Sequence, residues 1–176
     1  MAAKPRKSVL RTRWENRPRL TGVTRLSVSG SRSLKDERVR ILILEALDKY
    51  QATHLVTHGE PGGVCQVARD LARAKAIPLT LHFLDFSHRR GAFHHRTLAV
   101  FYATDVALFI HDGKSKGTAN EYDVARKMGI PCEFHELDPA PYDVSVGFPL
   151  ENGEWLAALE LEELEIPDLD PGTPKS

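Results

Sequence analysis

The sequence predicts an α/β fold in which about five parallel strands form one sheet with helices on both faces. Two observations predict it. Short apolar runs alternate with segments of helical spacing, and the strand-to-helix connections carry glycines typical of tight turns. The chain has 176 residues, enough for one domain with its own core, and its hydrophobic content of 41% is ordinary for a folded protein.

The predicted strands are short runs of apolar or β-branched residues that end at turn signals. They cover residues 24–29, 54–58, 79–83, 106–110 and 131–135. The first alternates apolar and polar residues, the second (HLVTH) has a β-branched centre, and the third follows a proline. The fourth (VALFI) is continuously apolar, as in a strand buried on both faces, and the fifth opens on a proline.

Four segments between these strands repeat apolar residues at helical spacing. They cover residues 37–50, 64–76, 93–103 and 119–128. Ser33 or Asp36 caps the first, and Gly129 ends the last. A polar, aromatic loop over 84–91 precedes the third. Right-handed crossovers make this a Rossmann-like, doubly wound sheet in three α/β/α layers, with its strand-to-helix loops at the carboxyl edge.

The two ends of the chain carry opposite charge although the net charge is zero. We predict a basic, flexible arm over residues 1–20, the folded domain over 21–137, and an acidic, proline-containing extension over 138–176 with a short helix at 154–165. The arm either contacts nucleic acid or is a solvated tail attracted to the acidic extension. Because it has one aromatic, Trp14, for base stacking, we favour the second interpretation.

Several classes of protein are not indicated. Two cysteines in unrelated contexts do not form a disulfide framework, and no Cys or His spacing resembles a metal site. No apolar run approaches the length of a membrane span, and the basic start lacks the apolar segment of a signal peptide. We therefore expect a cytoplasmic protein that needs neither a metal nor a cofactor.

The loops at 30–33, 59–63 and 112–118 are predicted to meet at one edge of the sheet and to bind a phosphate there. Glycines let a phosphate approach helix N–H groups, and hydroxyls and lysines add donors and charge. The candidate binding residues are Gly30, Ser31, Arg32, Gly59, Glu60, Gly62, Gly63, Gly113, Ser115, Lys116, Gly117 and Thr118. The alternatives are a tight turn that needs glycine and a solvated loop. Neither a Walker A loop nor the dinucleotide fingerprint is present.

Arg96 and Glu121 are the candidate catalytic pair. Arg96 lies near a predicted helix start, where a guanidinium clamps a phosphate or carboxylate, or it is an ordinary surface arginine. Glu121 acts as a general acid or base, or stabilises an oxocarbenium-like sugar. On spacing alone, a capping box formed by Thr118 and Glu121 is the stronger interpretation. We interpret Cys65 as a small packing residue.

Three segments together resemble the SLOG superfamily, which unites DNA-processing protein A, the Lonely guy phosphoribohydrolases and small Rossmann-like nucleotide-binding proteins. They read RLSVSGSRS, LVTHGEPGGVCQVARDLA and FHHRTLAVFYATDVALFIHDGKSKGTANEYDVA, within residues 25–136. Gly113, Ser115, Gly117 and Thr118 are similar to the GxSxGT loop of the stand-alone, YspA-like members. His94-x-Arg96 and Gly117-Thr118-x-x-Glu121 resemble parts of the Lonely guy motif.

The resemblance implies a sensor or carrier that binds a nucleotide or a nucleotide-derived ligand. The alternative is a hydrolase that cleaves the N-glycosidic bond of a nucleoside 5′-monophosphate, since Arg96 and Glu121 match residues that act in that reaction. A third interpretation is a DNA-binding module that uses the basic arm. Relatives commonly pair through helices beside the site, so we also expect a homodimer or a higher homo-oligomer.

Overall fold

The computed structural model describes residues 8–139, 148–149 and 155–156, and the chain divides into two compact units, Met1–Pro139 and Ala140–Ser176. Five parallel strands form one sheet in the first unit, in the order β3-β2-β1-β4-β5. They are β1 (Arg25–Gly30), β2 (His54–His58), β3 (Leu79–His82), β4 (Val106–His111) and β5 (Cys132–Glu136). The predicted five-stranded parallel sheet is confirmed, with boundaries within one residue of those expected.

Helices cover both faces of this sheet, which confirms the three-layer architecture. They are α1 (Val9–Glu15), α2 (Glu37–Lys49), α3 (Gly63–Ala74), α4 (Ala92–Tyr102) and α5 (Lys116–Met128). Buried residues of α2 and α3 share one apolar cluster, and those of α1, α4 and α5 share the other. A 3-10 helix, Phe86–Gly91, occupies the predicted polar loop, and Asp85 caps it by accepting from the N–H of Ser87.

The central strands β1 and β4 are buried on both sides of the sheet. Leu108 and Ile110 pack with α2 and α3, whereas Ala107 and Phe109 pack with α4 and α5. This double burial explains why β4 reads as a continuous apolar run. Beside β1 the sheet continues to β2 and β3, and beside β4 it continues to β5 on the other side, so the strand order reverses between β1 and β4. The carboxyl ends of these two strands therefore flank the crevice where doubly wound sheets bind ligands.

The segment before β1 differs from the flexible arm that we predicted. Val9–Glu15 is a helix capped by Ser8, and Trp14 within it is only 7% exposed. The indole Nε1 donates to the carbonyl of Thr104 at 2.9 Å. One aromatic residue among charged ones forms no periodic pattern in the sequence. Its burial nevertheless stabilises a helix that packs against the domain. Residues 1–7 of the predicted arm lie outside the described residues.

In the second unit two short strands, β6 (Phe148–Pro149) and β7 (Trp155–Leu156), pair antiparallel. The helix predicted over 154–165 is therefore wrong at Trp155 and Leu156, and the rest of that span lies outside the described residues. The strand pairing of these two residues overrides the helical spacing of the apolar residues in the sequence there.

Candidate functional site

A cavity of about 410 Å³ opens at the carboxyl edge of the sheet, next to the ends of β1 and β4. Gly30 and His58 end β1 and β2, and Asp112 follows β4 directly. The other lining residues come from loops and helix starts: Arg32, Ser33, Glu60, Pro61, Gly62, Cys65, Phe93, Arg96, Ser115, Gly117, Thr118 and Glu121. The volume lies within the range of small-molecule sites in proteins.

Arg96 carries the buried positive charge of the cavity. It lies one turn into α4, on the same buried face as Ala92 and Val100, and it is 5% exposed. Its Nη1 donates to Oε1 of Glu60, and its Nη2 lies 3.6 Å from Oε1 of Glu121. The surface-arginine alternative is therefore wrong. Because both ends of the guanidinium face carboxylates, Arg96 orients two acidic side chains from different elements.

Glu121 lies in the cavity and does not cap its helix. The N-cap of α5 is Ser115, whose hydroxyl accepts from the N–H of Thr118 at 3.4 Å. Glu121 is then nearly two turns into the helix, beyond reach of the cap, so the capping-box interpretation is wrong. Its Oε1 instead lies 3.1 Å from Nε2 of His58. The carboxylate thus faces one cation, Arg96, and one titratable ring.

Two nitrogens in this network have no hydrogen-bond partner within the described part of the chain. They are Nδ1 of His58 and Nε of Arg96, and both are buried. Ser29 adds a hydroxyl 3.4 Å from Nε2 of the histidine ring. Buried polar atoms are rarely left unpaired, so these two nitrogens leave part of the network's hydrogen-bonding capacity unused.

The loop between β4 and α5 is shaped by Asp112. One carboxylate oxygen, Oδ1, accepts from the N–H groups of Lys114 at 2.9 Å and Ser115 at 2.8 Å. The other, Oδ2, accepts from the hydroxyl of Ser33 at 2.6 Å. A single side chain therefore joins the loop after β1 to the loop after β4 and sets the direction in which α5 starts.

The start of α5 carries hydrogen-bond donors beside the cavity. The first intrahelical bond runs from the N–H of Ala119 to the carbonyl of Ser115 at 3.2 Å, so the N–H groups of Lys116 and Gly117 have no partner inside the helix. The hydroxyls of Ser115 and Thr118 lie 3.1 Å apart, and both residues line the cavity. Two N–H groups and two hydroxyls at the positive end of a helix form a set of donors suited to an anion.

The loop between β2 and α3 is built differently. Gly62 (φ +83°) is the N-cap of α3 without a side-chain hydrogen bond, and Gly63 has φ +62°. A Cβ on Gly63 would lie 2.4 Å from Cα of Arg32, and one on Gly59 would lie 2.1 Å from the ring of Phe83. The tight-turn alternative therefore accounts for Gly59 and Gly63, since both need glycine for close packing.

Two acidic groups of the cavity, Glu60 and Asp112, have lowered pKa values. Burial alone raises the pKa of Glu60, but Arg96 and then Arg32 outweigh it and hold the pKa below its ordinary value. Burial also opposes ionisation of Asp112, whose hydrogen bonds from Ser33 and the loop N–H groups nevertheless hold its pKa well below the usual range. Burial raises the pKa of the Cys65 thiol, so Cys65 lines the cavity as a neutral, weakly nucleophilic group.

The structure brings most of the predicted site residues together. Those that line the cavity are Gly30, Arg32, Glu60, Gly62, Arg96, Ser115, Gly117, Thr118 and Glu121. Five others do not line it: Ser31, Gly59, Gly63, Gly113 and Lys116. Ser31 instead accepts from the N–H of Asp112 at 3.0 Å, which ties two loops together. Gly113 adopts φ +78° beside Glu136, so turn geometry accounts for it.

Several lining residues were not predicted from the sequence. His58 and Asp112 are recoverable, since they stand at the carboxyl ends of predicted strands, where ligands bind. Phe93 was predicted to lie in a helix and Ser33 to cap one. Neither prediction placed the residue at the cavity, which both line. The neighbours His94 and His95 are exposed, and His95 stacks on His88.

No protein-family model, curated protein or solved structure matches this chain. The fold and the cavity therefore define the protein's class: a three-layer α/β domain with a charged cavity between its central strands. In the described residues, no helix is long and apolar enough to cross a membrane. The same residues contain no cluster of three or more His, Cys, Asp or Glu side chains placed to hold a metal ion.

Proposed function

We propose that this protein is a sensor or carrier that binds a nucleotide or nucleotide-derived ligand in the carboxyl-edge cavity, with the phosphate at the start of α5. The observation that carries the proposal is the set of donors gathered there. The N–H groups of Lys116 and Gly117, which have no partner inside the helix, lie at the same helix start as the hydroxyls of Ser115 and Thr118. Such donors at a helix N-terminus are typical of phosphate sites.

Asp112 places a negative charge beside the proposed phosphate, and its hydrogen bonds reduce the electrostatic repulsion between the two. Three donors already occupy its oxygens, so its charge is directed into the protein. Lys114 in the same loop and Lys116 at the first position of α5 are exposed and add positive charge near the helix start. The loop therefore supplies donors and two cations against one engaged carboxylate.

The other lining groups suit the sugar and the base. Glu60 and Glu121 are acceptors held by Arg96, and ribose hydroxyls are donors that fit them. Phe93 is 56% exposed although it lines a polar cavity, and Arg96 lies 5.4 Å from its ring centre. An exposed ring at this position suits a nucleobase, because stacking contributes about 1–3 kcal/mol per base.

Calorimetric titration of the whole chain with three ligands tests the proposal. A nucleoside 5′-monophosphate should bind most tightly. The matching nucleoside lacks the phosphate and ribose 5-phosphate lacks the base, so both should bind more weakly. Phe93→Ala should remove the advantage of the nucleotide over ribose 5-phosphate, whereas Phe86→Ala, at an exposed phenylalanine outside the cavity lining, should not. No binding of any ligand at millimolar concentration contradicts the proposal.

A second candidate function is hydrolysis of the N-glycosidic bond of a bound nucleoside 5′-monophosphate. The position of Glu121 favours it, since this carboxylate faces the cavity beside Arg96 and His58. In the reaction, the C1′–N bond breaks and its electron pair leaves with the base. Water adds its oxygen to C1′, and its proton passes to the base. Glu121 stabilises the positive charge that develops on the sugar.

Release of free base from nucleoside monophosphates, followed by chromatography, tests this second function. Glu121→Gln keeps the size of the side chain and removes its charge, so it should abolish release while nucleotide binding persists. Asp123→Asn makes the same change at an exposed position of α5 and should leave release intact. Tight binding without turnover in the unaltered protein would exclude the hydrolase and leave the sensor or carrier.

Membership of the SLOG superfamily, self-association and a cytoplasmic location belong to the same proposal. Phe83, Phe86 and Phe93 are exposed at or before the start of α4, and exposed aromatics are enriched where protein surfaces meet. Sedimentation analysis over a range of concentrations should show a dimer or larger oligomer. A monomer at every concentration would remove self-association from the proposal.

A further inference from the structure

A second hollow, of about 570 Å³, lies at the opposite, amino edge of the sheet. Its lining residues are Arg13, Arg17, Pro18, Arg25, Ala99, Tyr102 and Ala103. Arg13 belongs to α1, Arg25 starts β1, and Tyr102 ends α4, so three elements form its walls. We call Arg13, Arg17 and Arg25, together with the neighbouring Arg19, the basic groove.

Arg17 has a structural role in this groove. Its Nη1 donates to the carbonyl of Trp14 at 2.8 Å, and its Nη2 pairs with Oδ1 of Asp105. The guanidinium carbon lies 4.1 Å from the centre of the Trp14 ring. The second oxygen of Asp105 accepts from the backbone N–H of Arg25 at 2.9 Å. Both oxygens of Asp105 are thus engaged, and this carboxylate offsets one guanidinium.

The other three guanidiniums differ from that of Arg17 in their partners. Across the described part of the chain, no ion pair involves Arg13, Arg19 or Arg25, and arginine stays protonated throughout the physiological range. Burial lowers the pKa of Arg17, Asp105 opposes this change, and the nearby charges of Arg19 and Arg25 lower the pKa further. The buried hydroxyl of Tyr102 also has no hydrogen-bond partner among these residues.

We propose that the basic groove binds the phosphate backbone of a nucleic acid, without regard to base sequence. The planar guanidinium of arginine matches phosphate oxygens in geometry as well as charge. Trp14, the aromatic ring beside Arg17, is buried beneath that guanidinium and offers no surface for stacking bases. Backbone phosphate contacts position a nucleic acid but do not read its sequence. The four arginines come from α1, the segment after it and the start of β1, so the positive charge is spread along the groove, which favours an extended polyanion over a single phosphate.

Fluorescence anisotropy with a labelled DNA duplex of about 20 base pairs tests the proposal on the whole chain. Affinity should fall as salt rises, because neutralising each phosphate releases counterions. Substituting glutamine at Arg13, Arg19 and Arg25 together should weaken binding and reduce the slope of log K against log salt by roughly 0.9 for each phosphate that is no longer neutralised. A matched triple variant, Arg73→Gln with Lys75→Gln and Arg90→Gln, makes the same change of charge at exposed positions outside the groove.

The matched variant separates a local site from the effect of overall charge. Equal weakening in both triple variants, or no binding of the duplex at low salt, overturns the proposal. Binding of inorganic triphosphate without binding of the duplex also overturns it, since the groove would then take a free polyphosphate. Two single variants at exposed positions, Arg13→Gln and Arg19→Gln, keep the test valid if the triple variant does not fold. Each should lower the slope by roughly 0.9.

Discussion

The two glycine-rich loops that follow β2 and β4 have similar compositions, yet their glycines have different roles. In the loop after β2, a side chain at Gly63 would overlap the backbone of Arg32, and Gly62 adopts a conformation that other residues avoid. In the loop after β4, a side chain at Gly117 would meet open space. Asp112 shapes that loop through its hydrogen bonds.

This difference changes what a glycine-rich loop indicates. Glycine after a parallel strand shows that something approaches the backbone closely, and that neighbour is either a ligand or the protein itself. At Gly59 and Gly63 the neighbour is the protein. The case for a phosphate site therefore rests on the loop after β4, where the N–H groups of Lys116 and Gly117 are unpaired within their helix.

Gly63→Ala should have the largest effect on stability. The new methyl group would overlap backbone atoms of Arg32, and φ is positive at this residue. Strain and overpacking together should lower the free energy of unfolding by about 3 kcal/mol or more. Urea denaturation measures this loss. A loss below about 1 kcal/mol would mean that close packing does not explain this glycine.

Arg96→Met should have the next largest effect, because the loop after β2 depends on a partner from α4. The change leaves Glu60 and Glu121 without their shared cation, which should cost about 2–3 kcal/mol, less than a fully buried pair because Glu60 is partly exposed. Arg90→Met, at an exposed arginine of the preceding 3-10 helix, is the control and should change stability little.

The loss in Arg96→Met should depend on pH. Burial raises the pKa of Glu60, but Arg96 outweighs it and the folded-state pKa is lowered. The pair's contribution is therefore fully present above the ordinary carboxyl value of 4.5 and is lost as pH falls through the folded-state pKa. Urea midpoints of the two proteins should converge on acidification. A difference that grows at low pH would contradict this role.

Asp112→Ala should cost less, about 1–2 kcal/mol, since the loop after β4 loses hydrogen bonds but no close packing. The folded-state pKa of Asp112 is lowered, so its contribution is present above its ordinary value of 3.8 and disappears as the solution becomes more acidic. Thermal unfolding at neutral and acid pH measures this change. Asp123→Ala, at an exposed carboxylate of α5, is the matched control. Equal losses in both variants would show that Asp112 does not support the loop.

Gly117→Ala should have the smallest effect and the opposite sign. The residue lies in the first turn of α5 with open space around its Cα, and alanine favours the helix by up to about 1 kcal/mol. The unfolding midpoint should therefore stay constant or rise slightly. A large loss of stability would show that both glycine-rich loops are constrained by packing.

The fold was predictable because its signals are local and repeat along the chain. Each strand ends at a turn residue, and each following helix has its own apolar face. The site was predictable where topology alone locates it, at the carboxyl ends of β1, β2 and β4. Sequence spacing did not locate the N-cap at Ser115, three residues before Thr118, so it assigned Glu121 to a capping box although the side chain lies in the cavity. The burial of Trp14 likewise depends on a carbonyl 90 residues away.

The proposed phosphate position at the start of α5 can be observed residue by residue, by amide NMR during titration with a nucleoside 5′-monophosphate. We expect saturable shifts at the N–H groups of Lys116 and Gly117, and much smaller shifts at the same amides with the matching nucleoside. The proposal is contradicted if those two amides do not move while the nucleotide binds, or if the largest shifts lie at Arg13 and Arg25 in the basic groove.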